Sequence, residues 1–202
     1  MIMNTAATLP AHRLTVMLVP KAANSSIKWA LLKALGIDDP GDRLHAHPAL
    51  GLLPAPEALR RYPGHMVAAF VRNPYARLVS CYVQKIRTWR CESQGFARLG
   101  FSRDMPFAAF VDRVAARPLA NLHFAPQWDL IGRRAPDLLG RVESLAADWA
   151  RLQLARPGLA LPPLTHRNAS RHGPYRGYFD DHARGLAGDA YEDDCRILGY
   201  AF

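Results

Sequence analysis

The sequence predicts an α/β fold in which helices flank a central parallel sheet. Two short apolar runs, residues 14–19 (LTVMLV) and 66–71 (MVAAFV), have the length and β-rich composition of buried strands. Each run is followed by a polar turn and then by apolar residues at helical spacing. Strands that alternate with helices in this way form parallel sheets covered by helices.

The remaining elements follow from periodicity and from signals for helix ends. Gly36 is expected to close a helix over residues 27–35, and Pro74 to open one that runs from Tyr75 to about Trp89. We find no internal repeat and no linker, so a single domain over residues 1–202 is expected. The pattern also predicts a strand near 137–142 and helices over 57–61, 105–116, 143–154 and 181–196.

Composition and charge limit the possible functions. The 202 residues include 26 Lys and Arg against 17 Asp and Glu, a formal charge of +9 that favours an anionic partner. Three cysteines without a CxxC pair argue against a disulfide framework or a cysteine zinc site, and favour a reducing compartment. No signal-like start and no apolar run of membrane-spanning length is present, so we expect a cytoplasmic protein.

The first polar turn, residues 20–26 (PKAANSS), has the composition of an anion-binding loop. Asn24, Ser25 and Ser26 are residue types that cap helices, so the amides of the turn are expected to point outward beside the hydroxyls. Lys21 would reach over this helix start, where anions bind readily. An ordinary capped helix explains the same residues equally well. The GxxxxGK[ST] pattern of nucleoside triphosphatases is missing.

The second turn, within residues 71–82 (VRNPYARLVSCY), offers another anion contact. Arg72 leaves the strand end and Ser80 lies two turns into the next helix, so a guanidinium fork and a hydroxyl could bind one phosphate. Taken alone, an Arg72–carboxylate pair is the simpler interpretation. Ligands of parallel sheets bind beyond the carboxyl ends of the strands, where both turns are expected. Together the turns predict a site for a nucleotide with phosphates at its 5′ and 3′ positions.

Both turns resemble motifs of the carbohydrate sulfotransferases, in the group of heparan sulfate 2-O-, chondroitin and HNK-1 sulfotransferases (sulfotransferase family 2). The family pattern is roughly PK-x-x-x-[ST]-[ST], followed by R-x-P-x-x-R-L-x-S-x-Y. It is matched by Pro20, Lys21, Ser25, Ser26, Arg72, Pro74, Arg77, Leu78, Ser80 and Tyr82. Looser similarities are His123, Pro126 and Gln127; Glu143, Leu145 and Asp148; His166, Asn168 and Ser170; and Tyr191, Asp194, Gly199 and Tyr200.

The resemblance implies a P-loop-NTPase-like sulfotransferase fold that uses 3′-phosphoadenosine 5′-phosphosulfate (PAPS) and no metal. Lys21 would stabilise the departing phosphate, while Arg72 and Ser80 would hold the 3′-phosphate of the nucleotide. Apart from the resemblance, Asn168 and Ser170, beside Arg167 and Arg171, are candidates for a second wall of the nucleotide site, and a polar loop explains them equally well. The acceptor would be a carbohydrate or another hydroxyl-bearing molecule, with peripheral membrane contact if it is lipid-linked. The 5′ end would be held by Ala22, Ala23, Asn24, Ser25 and Ser26. Because the sequence has no anchor, the resemblance suggests a compact bacterial member.

Transfer to a hydroxyl also needs a general base, for which histidine is suited. Heparan sulfate 2-O-sulfotransferases have an H-x-H before the 3′-phosphate motif, and by that resemblance His47 is the predicted base, with His45 assisting. Two solvated loop histidines are the alternative. His123 and a carboxylate such as Glu57 are further candidates for the base. A third ligand at a suitable spacing is missing, which argues against zinc at this H-x-H.

Two other functions remain open on the sequence alone. The positive charge would suit a basic nucleic-acid-binding module, whose binding would depend on salt. A P-loop-like phosphotransferase is disfavoured because the Walker A pattern is missing. The sulfotransferase prediction ranks ahead of both because it accounts for the two turns together.

Overall fold

The computed structural model of the chain describes residues 4–88, 95–165 and 172–202. These residues form two compact units. The sheet unit consists of the described residues within 3–72 and 130–169, and the helical unit of those within 73–129 and 170–202. The single domain over residues 1–202 stays a prediction.

Within the described residues, the sheet has five strands in the order β3-β1-β2-β4-β5. β2, β4 and β5 run parallel to one another, whereas β1 is antiparallel to β2 and to β3. The predicted α/β fold with a central parallel sheet is therefore confirmed, with two antiparallel strands added at one edge. The strands are β1 (Thr5–Leu9), β2 (Leu14–Met17), β3 (Leu53–Pro54), β4 (Met66–Val71) and β5 (Leu138–Arg141).

Three strands agree with the sequence prediction, and two were missed. β4 has the predicted bounds, β5 lies inside the predicted 137–142, and β2 ends two residues before Val19. β1 (TAATL) consists mainly of small residues and β3 has two residues, so neither produces a strand signal in the sequence. Both are strands because they pair: Ala6 lies beside Met17 on one side and beside Leu53 on the other.

Helices α1 (Asn24–Ala34), α2 (Ala55–Arg61) and α6 (Leu145–Ala155) belong to the sheet unit. Ile27 and Leu31 of α1 share one buried cluster with Phe70 of β4 and Trp149 of α6. α1 ends as predicted, at Gly36 with φ +80°. The N–H groups of Gly36 and Ile37 donate to the carbonyls of Lys33 and Leu32 at 3.0 and 2.9 Å, which satisfies the last turn of the helix.

The other helices are α3 (Pro74–Cys81), α4 (Phe107–Ala116), α5 (Gln127–Leu130), α7 (Asp181–Ala190) and α8 (Glu192–Leu198). α3 starts at Pro74, as predicted, and the Asn73 side chain caps it by accepting from the N–H groups of Tyr75 and Ala76 at 3.0 and 3.2 Å. A π-helical segment, Tyr82–Thr88, continues α3, and the predicted end at Trp89 lies outside the described residues. The helix predicted over 181–196 is two helices, separated at Tyr191.

No helix among residues 4–88, 95–165 and 172–202 is long and apolar enough to cross a membrane.

Candidate active site

The carboxyl ends of β2 and β4 bring the two sequence motifs to one edge of the sheet. The two strands are parallel neighbours, with Met17 beside Ala69. The loop that contains Lys21 follows β2, and Arg72 directly follows β4. Both side chains are partly exposed. Open α/β sheets bind ligands at this edge, so the two cations are placed where an anionic ligand would bind.

The loop after β2 has a strained backbone. Lys21 and Ala23 have φ values of +68° and +58°, in the left-handed region, although neither is a glycine. This conformation costs roughly 1–2 kcal/mol for each L-residue. Between them, Ala22 is buried and its N–H donates to the Val19 carbonyl at 3.3 Å. That bond occupies an amide that the resemblance assigns to the 5′ end of the nucleotide. Strain of this kind concentrates at ligand-binding sites.

α1 begins directly after the loop, with Ala23 as its N-cap residue. Ala23 makes no side-chain cap hydrogen bond, so the expectation that Asn24, Ser25 or Ser26 is the N-cap residue is wrong. The left-handed conformation of Ala23, rather than a polar side chain, sets the start of α1. Ile27 donates the first intrahelical bond, to the Ala23 carbonyl at 3.0 Å, and the first turn contains no acidic residue. The positive end of the helix dipole therefore faces the loop, which attracts an anion.

Lys28, one turn into α1, connects the helix to the segment with the two predicted histidines. Its Nζ donates to the His45 carbonyl at 3.1 Å, and burial lowers the pKa of Lys28. The His45 side chain is exposed. The connection uses the backbone of His45, so an assisting role of its imidazole stays a prediction.

His47 has an imidazole ring whose orientation is fixed by the local backbone. The Ala49 N–H donates to Nδ1 of His47 at 3.2 Å. Because Nδ1 accepts this bond, the proton of the neutral ring is on Nε2. The outer nitrogen of His47 is then a donor, whereas a general base needs a lone pair facing the hydroxyl that it deprotonates. His47 could act as the predicted base only after giving up its bond from Ala49.

His47 also lines a cavity of about 430 Å³, together with Thr8, Arg61 and Tyr62. Thr8 pairs with Thr15 in the amino half of β2, whereas Lys21 lies beyond the carboxyl end of that strand. The structure therefore places the Thr8 side of this cavity toward the amino ends of the parallel strands.

Arg61 and Tyr62 were not singled out from the sequence. Both lie where α2 ends, and Tyr62 stacks on His65 with ring centroids 4.4 Å apart. A basic residue followed by an aromatic one at a helix end is too common to indicate a site. Only the packing of residues 46–53 against α2 creates the cavity.

α3 carries two residues of the second motif, and both are buried. Ser80 is 3% exposed, and its contact with a 3′-phosphate stays a prediction. Arg77 is 1% exposed and donates to the carbonyls of Ala125 and Leu122 at 2.7 and 2.9 Å. Burial lowers the pKa of Arg77. In the helical unit, therefore, Arg77 supports the segment 122–125. Asn168, Ser170 and His166 lie outside the described residues.

His123 has the opposite ring arrangement from His47. Oδ1 of Asn121 accepts from the His123 backbone N–H at 3.0 Å and lies 2.9 Å from His123 Nδ1. An amide oxygen only accepts, so Nδ1 carries the proton in this contact and the neutral ring has its lone pair on Nε2. That is the tautomer that a general base acting through Nε2 requires.

Three further residues of the resemblance form a buried hydrogen-bonded group. Asp194 is fully buried and accepts from the N–H groups of Gln127 and Trp128, each at 2.8 Å. The Tyr191 hydroxyl donates to the Phe124 carbonyl at 2.6 Å. Burial raises the pKa of Asp194 and that of Tyr191. These contacts fix residues 124–128 against the last two helices of the chain, which is a structural role.

Asp148, from the looser Glu143–Asp148 similarity, joins the end of β5 to α6. It accepts from the Arg141 N–H at 2.8 Å, Ser144 Oγ at 2.6 Å and Arg151 Nη1 at 2.8 Å. Burial acts to raise the pKa of Asp148, but the hydrogen bonds from Ser144, Arg141 and Arg151 outweigh it and lower that pKa. Asp148 is therefore an ionised support of the sheet unit.

A strained loop with Lys21 after one parallel strand and Arg72 after the next place two cationic side chains at one edge of an α/β sheet. A family model described as "Sulfotransferase family" matches residues 4–201, nearly the whole chain. The chain therefore belongs to the sulfotransferase family and is a sulfotransferase. Neither the comparison with curated proteins nor that with solved structures gave a match. The family match favours the sulfotransferase prediction over the nucleic-acid-binding and phosphotransferase alternatives.

Proposed function

We propose that the chain transfers a sulfuryl group from PAPS to a hydroxyl of a carbohydrate or glycolipid-like acceptor. Membership of the family supports sulfuryl transfer, and PAPS is the donor that the family uses in general. The observation that carries the proposal is the position of Lys21 and Arg72 beyond neighbouring parallel strands. Two cationic groups at adjacent strand ends suit a donor with phosphates at its 5′ and 3′ positions.

The Lys21 loop and the start of α1 bind the 5′ end in this proposal. Amides of residues 23–26 and the hydroxyls of Ser25 and Ser26 surround the phosphosulfate, while Ala22 holds the loop to the end of β2. Arg72 binds the 3′-phosphate through its guanidinium fork, together with Ser80. Asn168 and Ser170 are proposed to complete the nucleotide site.

The reaction is an in-line displacement at sulfur. The acceptor oxygen forms the new O–S bond while the bond from sulfur to the bridging oxygen breaks, and adenosine 3′,5′-bisphosphate leaves. Lys21 stabilises the negative charge that develops on the bridging oxygen, an interaction that is stronger in the transition state than in the ground state. The proton of the acceptor hydroxyl goes to a histidine base.

We place that base at His123 rather than at His47, with the ring tautomers as support. His123 presents an unprotonated Nε2 when neutral, whereas the bond from Ala49 leaves Nε2 of His47 protonated. His123→Gln is expected to lower kcat by about 100-fold or more and to remove the rise of kcat around the pKa of the base. If His47→Gln gives this kinetic signature and His123→Gln does not, the base is His47, as the sequence predicts.

Transfer of radiolabelled sulfuryl from PAPS to a panel of glycans and small alcohols tests the reaction itself. Lys21→Ala is expected to lower turnover by about 100-fold or more, because it removes a charge aligned with the breaking bond. The matched control is Lys33→Ala, at the other end of α1, which breaks a surface ion pair with Asp38 and a cation–π contact with Trp29. Wild-type turnover in Lys21→Ala would refute the proposal.

A further inference from the structure

Basic residues collect at the edge of the sheet where the parallel strands begin. Arg13 directly precedes β2 and His65 directly precedes β4, and these two strands start side by side. The Met66 N–H donates to the Arg13 carbonyl at 2.9 Å, which joins the two turns. Lys21 and Arg72 follow the other ends of the same strands. The six residues of β4 separate His65 from Arg72, a rise of about 20 Å, so the two edges are distinct.

Three arginines from different parts of the sheet unit are linked through the turn that contains His65. Nη2 of Arg13 donates to a backbone carbonyl of this turn at 3.3 Å, and Nη2 of Arg156 donates to the Arg13 carbonyl at 3.4 Å. The Tyr62 ring stacks on His65 with centroids 4.4 Å apart, and the guanidinium carbon of Arg61 lies 5.7 Å from the Tyr62 centroid. We call this group the basic edge: Arg13, Arg61, Tyr62, His65 and Arg156.

The arginines of the basic edge are not neutralised by ion pairs. Over residues 4–88, 95–165 and 172–202, no carboxylate pairs with Arg13, Arg61 or Arg156. Asp137, just before β5, is an acid beside these strand starts, but its Oδ2 accepts from a backbone N–H of β4 at 2.7 Å. Burial lowers the pKa of His65, and the charges of Arg13 and Arg156 lower it further. Positive charge therefore accumulates at this edge.

The basic edge is open to solvent and extends along several strand starts. Arg13 and Arg61 are exposed, and Arg156 is half-buried. They come from the turn before β2, the end of α2 and the end of α6. Arg134, exposed in the turn that leads into β5, adds a further cation on the side of that strand. A row of separate cations suits an extended anionic surface, whereas a small anion is bound by groups that converge on one point.

The residue types of the basic edge match lipid headgroups. A guanidinium binds phosphate oxygens through donors that lie in one plane, and each basic residue near an anionic membrane adds to the attraction. Tyr62 is half-buried, and tyrosine is favoured at membrane surfaces because its ring is apolar and its hydroxyl is polar. Headgroups move within the membrane plane and can therefore match cations at irregular spacings, whereas the phosphates of a nucleic-acid duplex have fixed spacings. An anionic membrane fits this edge better than a nucleic acid does.

We propose that the basic edge docks the chain on an anionic membrane surface through the phosphate groups of lipids. This inference goes beyond the proposed function, because these residues take no part in sulfuryl transfer. Lys21 and Arg72 lie at the other ends of the same strands, so the donor edge stays open to a nucleotide while the basic edge contacts lipid. Docking would concentrate the chain where lipid-linked molecules are found.

Sedimentation of the full chain with vesicles measures this contact without donor or acceptor. The probes are vesicles of equal parts phosphatidylglycerol and phosphatidylcholine, and vesicles of phosphatidylcholine alone. We expect about tenfold or greater partitioning onto the anionic vesicles at low salt, because each arginine near the surface adds to the attraction. Added salt should reduce this preference by screening the charges. Equal partitioning onto the two kinds of vesicle would refute the docking surface.

The double variant Arg13→Gln with Arg156→Gln locates the contact. It should lower partitioning onto the anionic vesicles by about tenfold or more. Arg61→Gln, whose guanidinium makes no hydrogen bond or ion pair within the described residues, should fold normally and lower partitioning by about fivefold. The charge-matched control is Arg98→Gln with Arg103→Gln, two exposed arginines of the helical unit, which should partition as the wild type does. If Arg61→Gln partitions as the wild type does, or if both double variants lose partitioning equally, the basic edge is not the contact.

Two further measurements separate this surface from a nucleic-acid site and from the donor site. If the wild type binds a short DNA duplex in a salt-dependent manner and does not prefer the anionic vesicles, the basic edge serves a nucleic acid and the proposal is overturned. Lys21→Ala should partition onto anionic vesicles as the wild type does, and the variant of Arg13 and Arg156 should bind adenosine 3′,5′-bisphosphate with wild-type affinity. Failure of the donor site and failure of the basic edge therefore give different results.

Discussion

Arg77 gives a sharp test of which motif residues support the fold and which bind the ligand. It is 1% exposed and donates to the carbonyls of Leu122 and Ala125 at 2.9 and 2.7 Å. Arg77→Met keeps an apolar stem but removes both donors. A hydrogen bond to a charged group contributes about 1.5–3 kcal/mol, so we expect the free energy of unfolding to fall by about 3–5 kcal/mol. For a chain of this length, that corresponds to a Tm lower by roughly 6–20 °C.

Urea unfolding followed by circular dichroism measures this loss. Arg72→Met is the matched control: the same substitution at the partly exposed strand end should change the free energy of unfolding by less than about 1 kcal/mol, while weakening nucleotide binding. Arg77→Met should bind adenosine 3′,5′-bisphosphate with wild-type affinity at a temperature where it is folded. Unchanged stability of Arg77→Met, or loss of nucleotide affinity without loss of stability, would refute the structural role.

Three further substitutions test other parts of the account. Ala23→Gly should raise the free energy of unfolding by up to about 1 kcal/mol, because relief of the left-handed strain exceeds the entropy gained by the unfolded chain. Ala30→Gly, inside α1, should lower the free energy of unfolding by about 1 kcal/mol. If urea unfolding ranks the two variants the other way, the strained loop is contradicted. Asp148→Asn should lower the free energy of unfolding by about 2–3 kcal/mol near neutral pH. The difference from wild type should shrink as pH falls through the lowered pKa of Asp148. A difference that does not depend on pH would mean that the charge of Asp148 does not stabilise the fold. Burial lowers the pKa of His65 from 6.5, so as pH falls the unfolded chain takes up this proton first and the folded state loses stability below pH 6.5. His65→Gln should therefore reduce the dependence of Tm on pH in this range. An unchanged dependence would assign it to other groups.

The parallel core of the sheet was predictable from local composition. β2 and β4 lie in apolar runs followed by turns and were found from that pattern, and the strand at β5 was also predicted. β1 was not, because small residues such as Ala6 and Ala7 have no marked strand preference and become a strand only between β2 and β3. Long-range pairing, rather than local sequence, decides that edge of the sheet.

The start of α1 shows where local rules fail. Three good capping residues follow Ala23, yet Ala23 is itself the N-cap in a left-handed conformation. Residue preferences for caps describe relaxed helix starts, whereas this loop is held by the Ala22–Val19 bond and the buried side of α1. A strained conformation is set by the surrounding packing and cannot be found from residue type alone.

The candidate site was predicted only in outline. The order of motifs located Lys21 and Arg72, because strand ends of a parallel sheet meet at one edge. The sequence did not distinguish these ligand-binding candidates from the supporting residues Arg77 and Asp194. The backbone partners of Arg77 lie 45 and 48 positions along the chain, and those of Asp194 lie 66 and 67 positions away. Backbone donors and carbonyls carry no sequence signature, so a buried supporting residue and a ligand-binding residue look alike within one motif.

Binding of two nucleotides to three forms of the chain tests the central claim most directly. Isothermal titration compares adenosine 3′,5′-bisphosphate with adenosine 5′-phosphate, which lacks the 3′-phosphate, in wild type, Arg72→Ala and Lys21→Ala. Wild type should prefer the bisphosphate by about tenfold or more, Arg72→Ala should lose that preference, and Lys21→Ala should bind both nucleotides more weakly while keeping it. If Arg72→Ala keeps the full preference for the bisphosphate, the two strand ends do not hold one nucleotide and the account is contradicted.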